Sequence, residues 1–297
     1  MTAATNTDIV TGHANRSLAS KLTAKAGNGA LHLVLIVVAL FWLLPTFGLL
    51  IESLRGAGFY PAGGWWQALQ HPAQLTWSNY SSLLKNHALT SSFVNSLKIT
   101  LPATILVVLI GAAAGYAFAW MDFPGRDWVF LGVIGLLVVP IQIALIPVVK
   151  LYTNLHLAGS ILSVVIFHVA FGLPFAIFLL RNFFAGLPKD LMEAARMDGA
   201  SEARIFFRII LPLGAPAIAA LAIFQFLWVW NDLLVALVFS NAHTQPLTVY
   251  LSTQTREFGS SVNVLAPGAF LSLLLPLVVF LVFQRFFVEG ITAGSVK

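Results

Sequence analysis

Six long and strongly apolar segments without a charged side chain limit what this chain can fold into. Measured between successive Asp, Glu, Lys or Arg residues, they are 26–51, 99–121, 128–149, 151–180, 209–231 and 258–284. Each is long enough to cross a bilayer, whose hydrocarbon core needs about 20 apolar residues of helix. Only helices and closed barrels satisfy the backbone in hydrocarbon, and these segments lack the alternation of barrel strands. The sequence therefore predicts an all-α polytopic membrane protein with six transmembrane helices.

The composition excludes several other classes of protein. With 59% hydrophobic and 9% charged residues, the chain has too few polar side chains to cover a soluble fold. It has no cysteine, which excludes a disulfide-stapled secreted domain. It also has no Gly-Lys pair, and hence no phosphate loop for ATP. Neither H-E-x-x-H nor G-x-S-x-G occurs. We therefore expect no catalytic residue, no metal site and no cofactor bound by this chain itself.

The distribution of Lys and Arg predicts the orientation in the membrane. With six spans, both termini lie on one side, and placing them in the cytoplasm puts 11 of the 16 basic residues there. The positive-inside rule favours this arrangement. The net charge of +5 is then explained mostly by topology rather than by nucleic-acid binding.

The predicted organisation has five parts. They are a cytoplasmic N-terminal tail (1–29), a first transmembrane helix (30–52), an external loop (53–93), a core of helices 2–6 (94–289) that includes a cytoplasmic loop (181–208), and a cytoplasmic C-terminal tail (290–297). The external loop contains Trp65, Trp66, Trp77 and Tyr80. Aromatic side chains at such a place favour anchoring at the membrane interface over stacking on a sugar.

Two features of the spans concern packing. Gly111 and Gly115 form a small-xxx-small pattern in helix 2, on which another helix can approach closely. Prolines in or near the spans predict kinks, which are compatible with simple packing and with helices that rearrange. They are Pro140, Pro147, Pro174, Pro212, Pro216 and Pro276.

The cytoplasmic loop is the most charged stretch of the protein. Pro188 suits a first helical turn, Asp190 suits the positive end of the helix dipole, and Gly199 suits a left-handed terminator. These signals predict a short helix at about 188–198 and a second helical start at Ala200. From the residues alone, packing under its own bundle and docking to a partner remain equally open.

The same loop carries a motif that narrows the choice. Glu193-Ala194-Ala195, three residues, Gly199, nine residues, Ile209, one residue and Leu211-Pro212 resemble the EAA motif of ATP-binding-cassette (ABC) importer permeases. Several fixed identities at fixed spacing, before the penultimate predicted helix, make this a specific signal.

The resemblance extends over nearly the whole chain and points to maltose-type carbohydrate permeases. It includes Asn95-Ser96-Leu97, Phe123-Pro124-Gly125-Arg126, Leu173-Pro174-Phe175 and Trp230-Asn231-Asp232. The C-terminal segment 290–297 is similar to the tail of the MalG-like subunit, which in that family reaches into the ATPase dimer. The tail residues concerned are Thr292, Ala293, Gly294 and Ser295, the last of which replaces an expected glycine. An ordinary polar tail is the alternative.

The resemblance implies a type I ABC importer fold and a set of partners. These are a second homologous permease subunit, two ATPase subunits that bind ATP and Mg, and an external solute-binding protein, all acting in the inner membrane on a carbohydrate, either an oligosaccharide or a glucoside. The predicted helix would couple the permease to the ATPase through Glu193, Ala194, Ala195, Asp198 and Gly199.

Polar and aromatic side chains within the spans are candidates for the sugar pathway. They are Gln142, His168, Gln225, Trp228, Trp230 and Asn231. Amides bind hydroxyls and indoles stack on pyranose rings, although interhelical hydrogen bonds would explain each residue equally well. In the similar family the other subunit holds most of the sugar. Asp232 is expected to face water at the external end of its helix.

Two other functions remain open from the residues. An ion-coupled secondary transporter would normally carry Asp, Glu or Arg in mid-membrane, and none of the six segments has one. A purely structural subunit of a membrane complex would retain the cytoplasmic motif without any dependence of uptake on it.

Overall fold

A computed structural model describes residues 18–257 and 262–293, and its regular structure in these ranges is helical. The α-helices are α1 (Leu18–Leu54), α2 (Gln67–Gln70), α3 (Ser78–Lys85), α4 (His87–Trp120), α5 (Arg126–Leu136), α6 (Ile141–Asn154), α7 (Ile161–Ala185), α8 (Lys189–Met197), α9 (Glu202–Ile205), α10 (Leu211–Leu213), α11 (Ala215–Trp230), α12 (Leu234–Phe239), α13 (Leu247–Glu257) and α14 (Val262–Ala293). Short 3₁₀ helices occupy Ala57–Ala62 and Pro72–Gln74, and a π-helical turn occupies Phe206–Ile210. The all-α prediction is confirmed.

Four helical segments of the described chain are long and apolar enough to cross a membrane. They are Leu31–Leu54, His87–Trp120, Ile161–Ala185 and Val262–Gln284. Two bent pairs pass the same test, α5 with α6 at 99° and the segment Glu202–Leu213 with α11 at 75°. Counting each bent pair as one span gives the six spans that the sequence predicts.

Prolines and a close backbone approach explain the two bends. Pro140 follows the first break and has no N–H to continue the helical ladder of α5. At the second break, a Cβ on Gly214 would lie 2.5 Å from the Phe184 ring, so α7 passes too close for a side chain. Pro212 and Pro216 flank that glycine. Prolines at 140, 212 and 216 therefore lie at bends, as predicted.

The structure corrects one predicted boundary. The segment 151–180 is not a single helix, because α6 continues through Lys150 to Asn154 and α7 begins at Ile161. Between them His156 and Gly159 adopt φ of 57° and 76°, in the left-handed region. Charged residues therefore misplace this boundary, since Lys150 lies inside a helix.

Two helices are longer than their predicted limits. The first runs from Leu18 to Leu54 rather than from 30 to 52. The helix expected to start at 94 begins at His87, where the Asn86 side chain accepts hydrogen bonds from the N–H groups of Ala88 and Leu89.

The chain divides into two units, residues 1–49 and 50–297. In its described part the first unit is a single helix. The second contains α4, α7, α11 and α14, with α4 packed along α7 and α11 packed on both α4 and α14.

The contact between α4 and α7 depends on two glycines. A Cβ on Gly111 would lie 2.8 Å from the Cβ of Ala176. A Cβ on Gly115 would lie 3.0 Å from both the Arg181 nitrogen and the Leu180 Cβ. The predicted small-xxx-small face is confirmed, because any side chain here would push the helices apart.

Candidate functional site

The cytoplasmic loop forms the short helix that the sequence predicts. Helix α8 spans Lys189–Met197, with Pro188 just before it and Asp190 in its first turn. Gly199 ends it at a φ of 75°, which disfavours a side chain. The second helical start is at Glu202, where the Ser201 side chain accepts a hydrogen bond from the Arg204 N–H.

One face of α8 is seated on its own bundle. Met192 is fully buried and belongs to a cluster with Phe184, Ile205 and Ile210. The rest of the helix faces outward: Glu193, Ala194, Asp198 and Gly199 are exposed, Ala195 is half-buried, and Met197 is 88% exposed. Packing under the bundle is therefore confirmed for one face of α8, and docking of the exposed face to a partner stays a prediction.

Polar contacts tie the loop to the end of α4. Arg196 Nε donates to Glu202 Oε1 at 3.0 Å, and Arg196 Nη2 donates to the Trp120 carbonyl at 2.9 Å. The Tyr116 hydroxyl donates to the second Glu202 oxygen. The hydrogen bond from Arg196 to Glu202 raises the pKa of the Arg196 guanidinium, so this cation is always present. We call Tyr116, Arg196 and Glu202 the α8 latch.

No pattern in the sequence predicts the α8 latch. Arg196 and Glu202 are six residues apart, which is not the spacing of one helical face, and Tyr116 lies far away in the chain. A further link, from Trp120 Nε1 to the Phe184 carbonyl at 2.9 Å, joins α4 to α7. The only local signal was the charge density of the loop.

A cleft between α7 and α11 is lined in part by two of the predicted pathway residues, Gln225 and Trp228. It has a volume of about 300 Å³ and is lined by Phe171, Gly172, Phe175, Phe224, Gln225 and Trp228. We call it the α7–α11 cleft. Its lining is mainly aromatic, with one amide.

Gln225 is the polar group of the α7–α11 cleft. Gln225 is only 4% exposed, and the Nε2 atom of its side chain has no hydrogen-bond partner within the described ranges. It lies directly against Gly172, where an added Cβ would be 2.8 Å from the amide. A buried amide without a partner favours a ligand group or water that would satisfy it.

His168 lies beside the same cleft. It is fully buried, and its ring meets Trp228 edge-on with the centroids 5.0 Å apart. Its Nε2 is 3.5 Å from Asp232 Oδ2, and neither ring nitrogen has a hydrogen-bond partner among the residues described. His168, Gln225 and Trp228, distant in sequence, are thus brought together.

Asp232 follows the end of α11, but the expectation that it faces water is wrong. Its side chain is 12% exposed and points toward His168. Its carboxylate accepts hydrogen bonds from the N–H groups of Val235 at 3.3 Å and Ala236 at 2.9 Å, at the start of α12. Capping this helix satisfies the charge without water.

The structure places the other predicted pathway residues elsewhere. Trp230 is buried, and its indole donates to the Ser272 carbonyl of α14 at 2.9 Å. Asn231 is exposed and donates to the Leu227 carbonyl at 2.8 Å. Gln142 is exposed on α6. None of the three lines the α7–α11 cleft, and their role in transport stays a prediction.

Of the predicted C-terminal contact residues, only the backbone of two falls in the described part. Thr292 and Ala293 end α14, whereas Gly294 and Ser295 lie outside the described residues. The described residues contain no group of three His, Cys, Asp or Glu side chains that could hold a metal ion.

Residues 107–292 match the family described as "Binding-protein-dependent transport system inner membrane component". The chain belongs to this family of ABC importer permeases. The resemblance inferred from the EAA motif is confirmed, and the matched range includes α8, the α7–α11 cleft and most of α4.

Individual relatives agree with the family. The permease is 49% identical over 272 residues to the osmoprotective compounds uptake permease protein GgtD of Synechocystis sp., covering 90% of this chain and 91% of that protein. It is 47% identical over 233 residues to the alpha-glucoside transport system permease protein AglG of Rhizobium meliloti, covering 76% of this chain and 61% of that protein. Its fold matches a chain of a bacterial ABC transporter that imports alginate, with a TM-score of 0.73, 20% identity and coverage of 92% and 99% of the two chains.

Membership of the family settles the class of function. The permease is an inner-membrane transport subunit of an ABC importer, and ATP hydrolysis belongs to separate subunits. The secondary-transporter and purely structural interpretations are therefore set aside.

Proposed function

We propose that the permease is one half of a heterodimer that imports a carbohydrate, with a small glucoside or oligosaccharide as its substrate. The observation that carries the substrate class is the 47% identity to an alpha-glucoside permease, supported by the 49% identity to a permease for osmoprotective compounds. A second homologous permease, two ATPase subunits holding ATP and Mg, and an external solute-binding protein complete the proposed importer.

In this proposal the outer face of α8 docks on an ATPase subunit. Closure of the ATPases on ATP can drive transport only if it changes how favourably this helix binds to the ATPase. Because Met192 and the α8 latch fix α8 to α4 and α7, a displacement of α8 moves these long helices with it. The C-terminal segment with Thr292, Ala293, Gly294 and Ser295 remains a second proposed contact with the ATPases.

The α7–α11 cleft is the part of the sugar path that we assign to this subunit. Phe171, Phe175 and Trp228 offer apolar faces to a pyranose ring, and Gln225 offers a donor and an acceptor to its hydroxyls. His168 packs edge-on against Trp228, and neither of its ring nitrogens has a hydrogen-bond partner among the described residues.

The proposal is tested by uptake in cells of the native host that lack this subunit. Labelled α-glucosides, oligosaccharides and polyols are supplied, and uptake is compared with and without the restored wild-type chain. We expect restored uptake of a glucoside, together with co-purification of an ATPase and a second permease from mild detergent. Uptake of polyols alone would refute the substrate class while leaving the importer intact.

Breaking the α8 latch should uncouple transport. We expect Tyr116→Phe and Glu202→Ala each to lower uptake per ATP hydrolysed, and the double variant to be little worse than Glu202→Ala alone, because the Tyr116 hydroxyl has already lost its acceptor in that variant. The double-mutant cycle should give an interaction energy between Tyr116 and Glu202 of roughly 1–2 kcal/mol. Tyr152→Phe makes the same chemical change in a different buried cluster and is the control. Strictly additive losses would contradict a shared latch.

Removing the amide of Gln225 should impair transport without harming stability. We expect Gln225→Leu to raise the KM for uptake by up to about tenfold, since one hydrogen bond to the sugar is lost. Its melting temperature should not fall, because the wild-type amide nitrogen has no protein partner in the described structure. Gln70→Leu, at an exposed position of α2, makes the same chemical change and is the matched control. Unchanged uptake by Gln225→Leu would remove this cleft from the path.

A further inference from the structure

The segment between α1 and α4 has an unusual surface for a loop outside the membrane. Residues 56–84 contain no Asp, Glu, Lys or Arg. Several of its large apolar side chains are exposed: Phe59, Trp66, Leu69, Leu75, Trp77 and Leu84, with Trp77 at 75%. Loops in water normally carry charge and hide such side chains. A partly apolar environment would therefore cover this surface more favourably than water.

A buried arginine holds the segment in one shape. Arg55 is fully buried, and its guanidinium donates to the carbonyls of Phe59 and Gly63, each at 2.8 Å. It also pairs with Glu52 at 3.0 Å and donates to Gln74 at 3.2 Å. These hydrogen bonds tie residues 59–63 and Gln74 of the segment to the end of α1.

Hydrogen bonds fix the position of the chain around Trp77 relative to the end of α1. The Thr76 N–H donates to the Leu54 carbonyl at 2.7 Å, and the Asn79 amide donates to the Ser53 carbonyl at 3.0 Å. The candidate span of α1 ends at Leu54. Residues 76–79 therefore lie beside the end of this candidate span.

We propose that segment 56–84 is an interfacial anchor whose Trp77 and Trp66 insert into the headgroup region of the external leaflet. Tryptophan prefers this layer because its ring is apolar while its N–H needs a polar partner. The rival occupant is the solute-binding protein. The lack of charge argues against it, since association at a wet surface relies on charge complementarity for steering and register.

This chain has no cysteine, so Trp77→Cys supplies a single site for a nitroxide label when the partner subunits are prepared in cysteine-free form. The assembled transporter is placed in vesicles of phosphatidylethanolamine and phosphatidylglycerol. We then measure how often the label collides with oxygen, which concentrates in lipid, and with a nickel chelate, which stays in water. Asp122→Cys, in an exposed charged turn, is the water reference, and Leu109→Cys, exposed in the middle of α4, is the lipid reference.

At position 77 we expect an oxygen-to-nickel collision ratio several-fold above that at 122 and below that at 109. A ratio equal to that at 122 would overturn the proposal. So would protection from both reagents that appears only when the solute-binding protein is added, since Trp77 would then contact protein.

A second measurement avoids labelling at the proposed contact. Lipids brominated near the headgroup quench nearby tryptophans, so they should remove a larger share of the emission of the wild type than of Trp77→Phe. Equal fractional quenching of the two proteins would contradict an interfacial Trp77.

Discussion

Replacing Met192 with Asp is expected to detach α8 from the bundle and abolish transport. Met192 is fully buried among Phe184, Ile205 and Ile210, where a carboxylate would find no cation in its cluster. An uncompensated buried charge costs roughly 3–5 kcal/mol. The melting temperature of the purified transporter and sugar uptake in cells measure the two consequences.

Met197→Asp is the matched control for that experiment. Met197 lies in the same helix and is 88% exposed, so its variant should melt like the wild type. In the proposed importer it would still weaken docking of the ATPase, which co-purification detects. If Met192→Asp melted at the wild-type temperature, the seating of α8 described here would be wrong.

Gly115→Leu is expected to disrupt the packing of α4 against α7 and to eliminate folded permease from the membrane. The added Cβ alone would meet the Arg181 backbone nitrogen at 3.0 Å, and backbone of a packed helix cannot move aside as a flexible side chain can. Overpacking of this kind costs about 1–3 kcal/mol, and the remaining leucine atoms add to it. Membrane expression and detergent-solubilised monodispersity are the measurements.

Gly132→Leu serves as the control for Gly115→Leu. Gly132 lies in α5, and a Cβ there meets no atom within 4 Å. The same substitution should therefore leave expression and melting temperature near wild type. Equal loss of expression in both variants would show that leucine is poorly tolerated for reasons unrelated to the α4–α7 contact.

Features carried by neighbouring residues were predicted well. The α8 helix, its start after Pro188 and its end at Gly199 follow from capping preferences that act within a few residues. The close face at Gly111 and Gly115 was visible because one helical turn separates the two residues. Family membership followed from the EAA spacing in the same way.

Features that depend on the surroundings of a charge are predicted less well. The charge of Lys150 predicts the end of a span, whereas Lys150 is an exposed residue inside α6. Asp232 is expected to face water, yet backbone N–H groups of α12 satisfy its carboxylate. Whether a protein group compensates a charge in this way is not local in the sequence.

The sequence by itself determined that the chain spans the membrane as helices, where the short helix α8 begins and ends, and which family the chain belongs to. These follow from hydropathy, capping and motif spacing, all of which are read from neighbouring residues. Only the tertiary structure decided that Tyr116 meets Glu202, that Gly172 makes room for Gln225, and that Arg55 donates to the Gly63 carbonyl. The residues in each of these contacts are not neighbours in the sequence. Helix packing or a buried hydrogen bond brings them together, so the contact depends on how the chain segments pack in three dimensions.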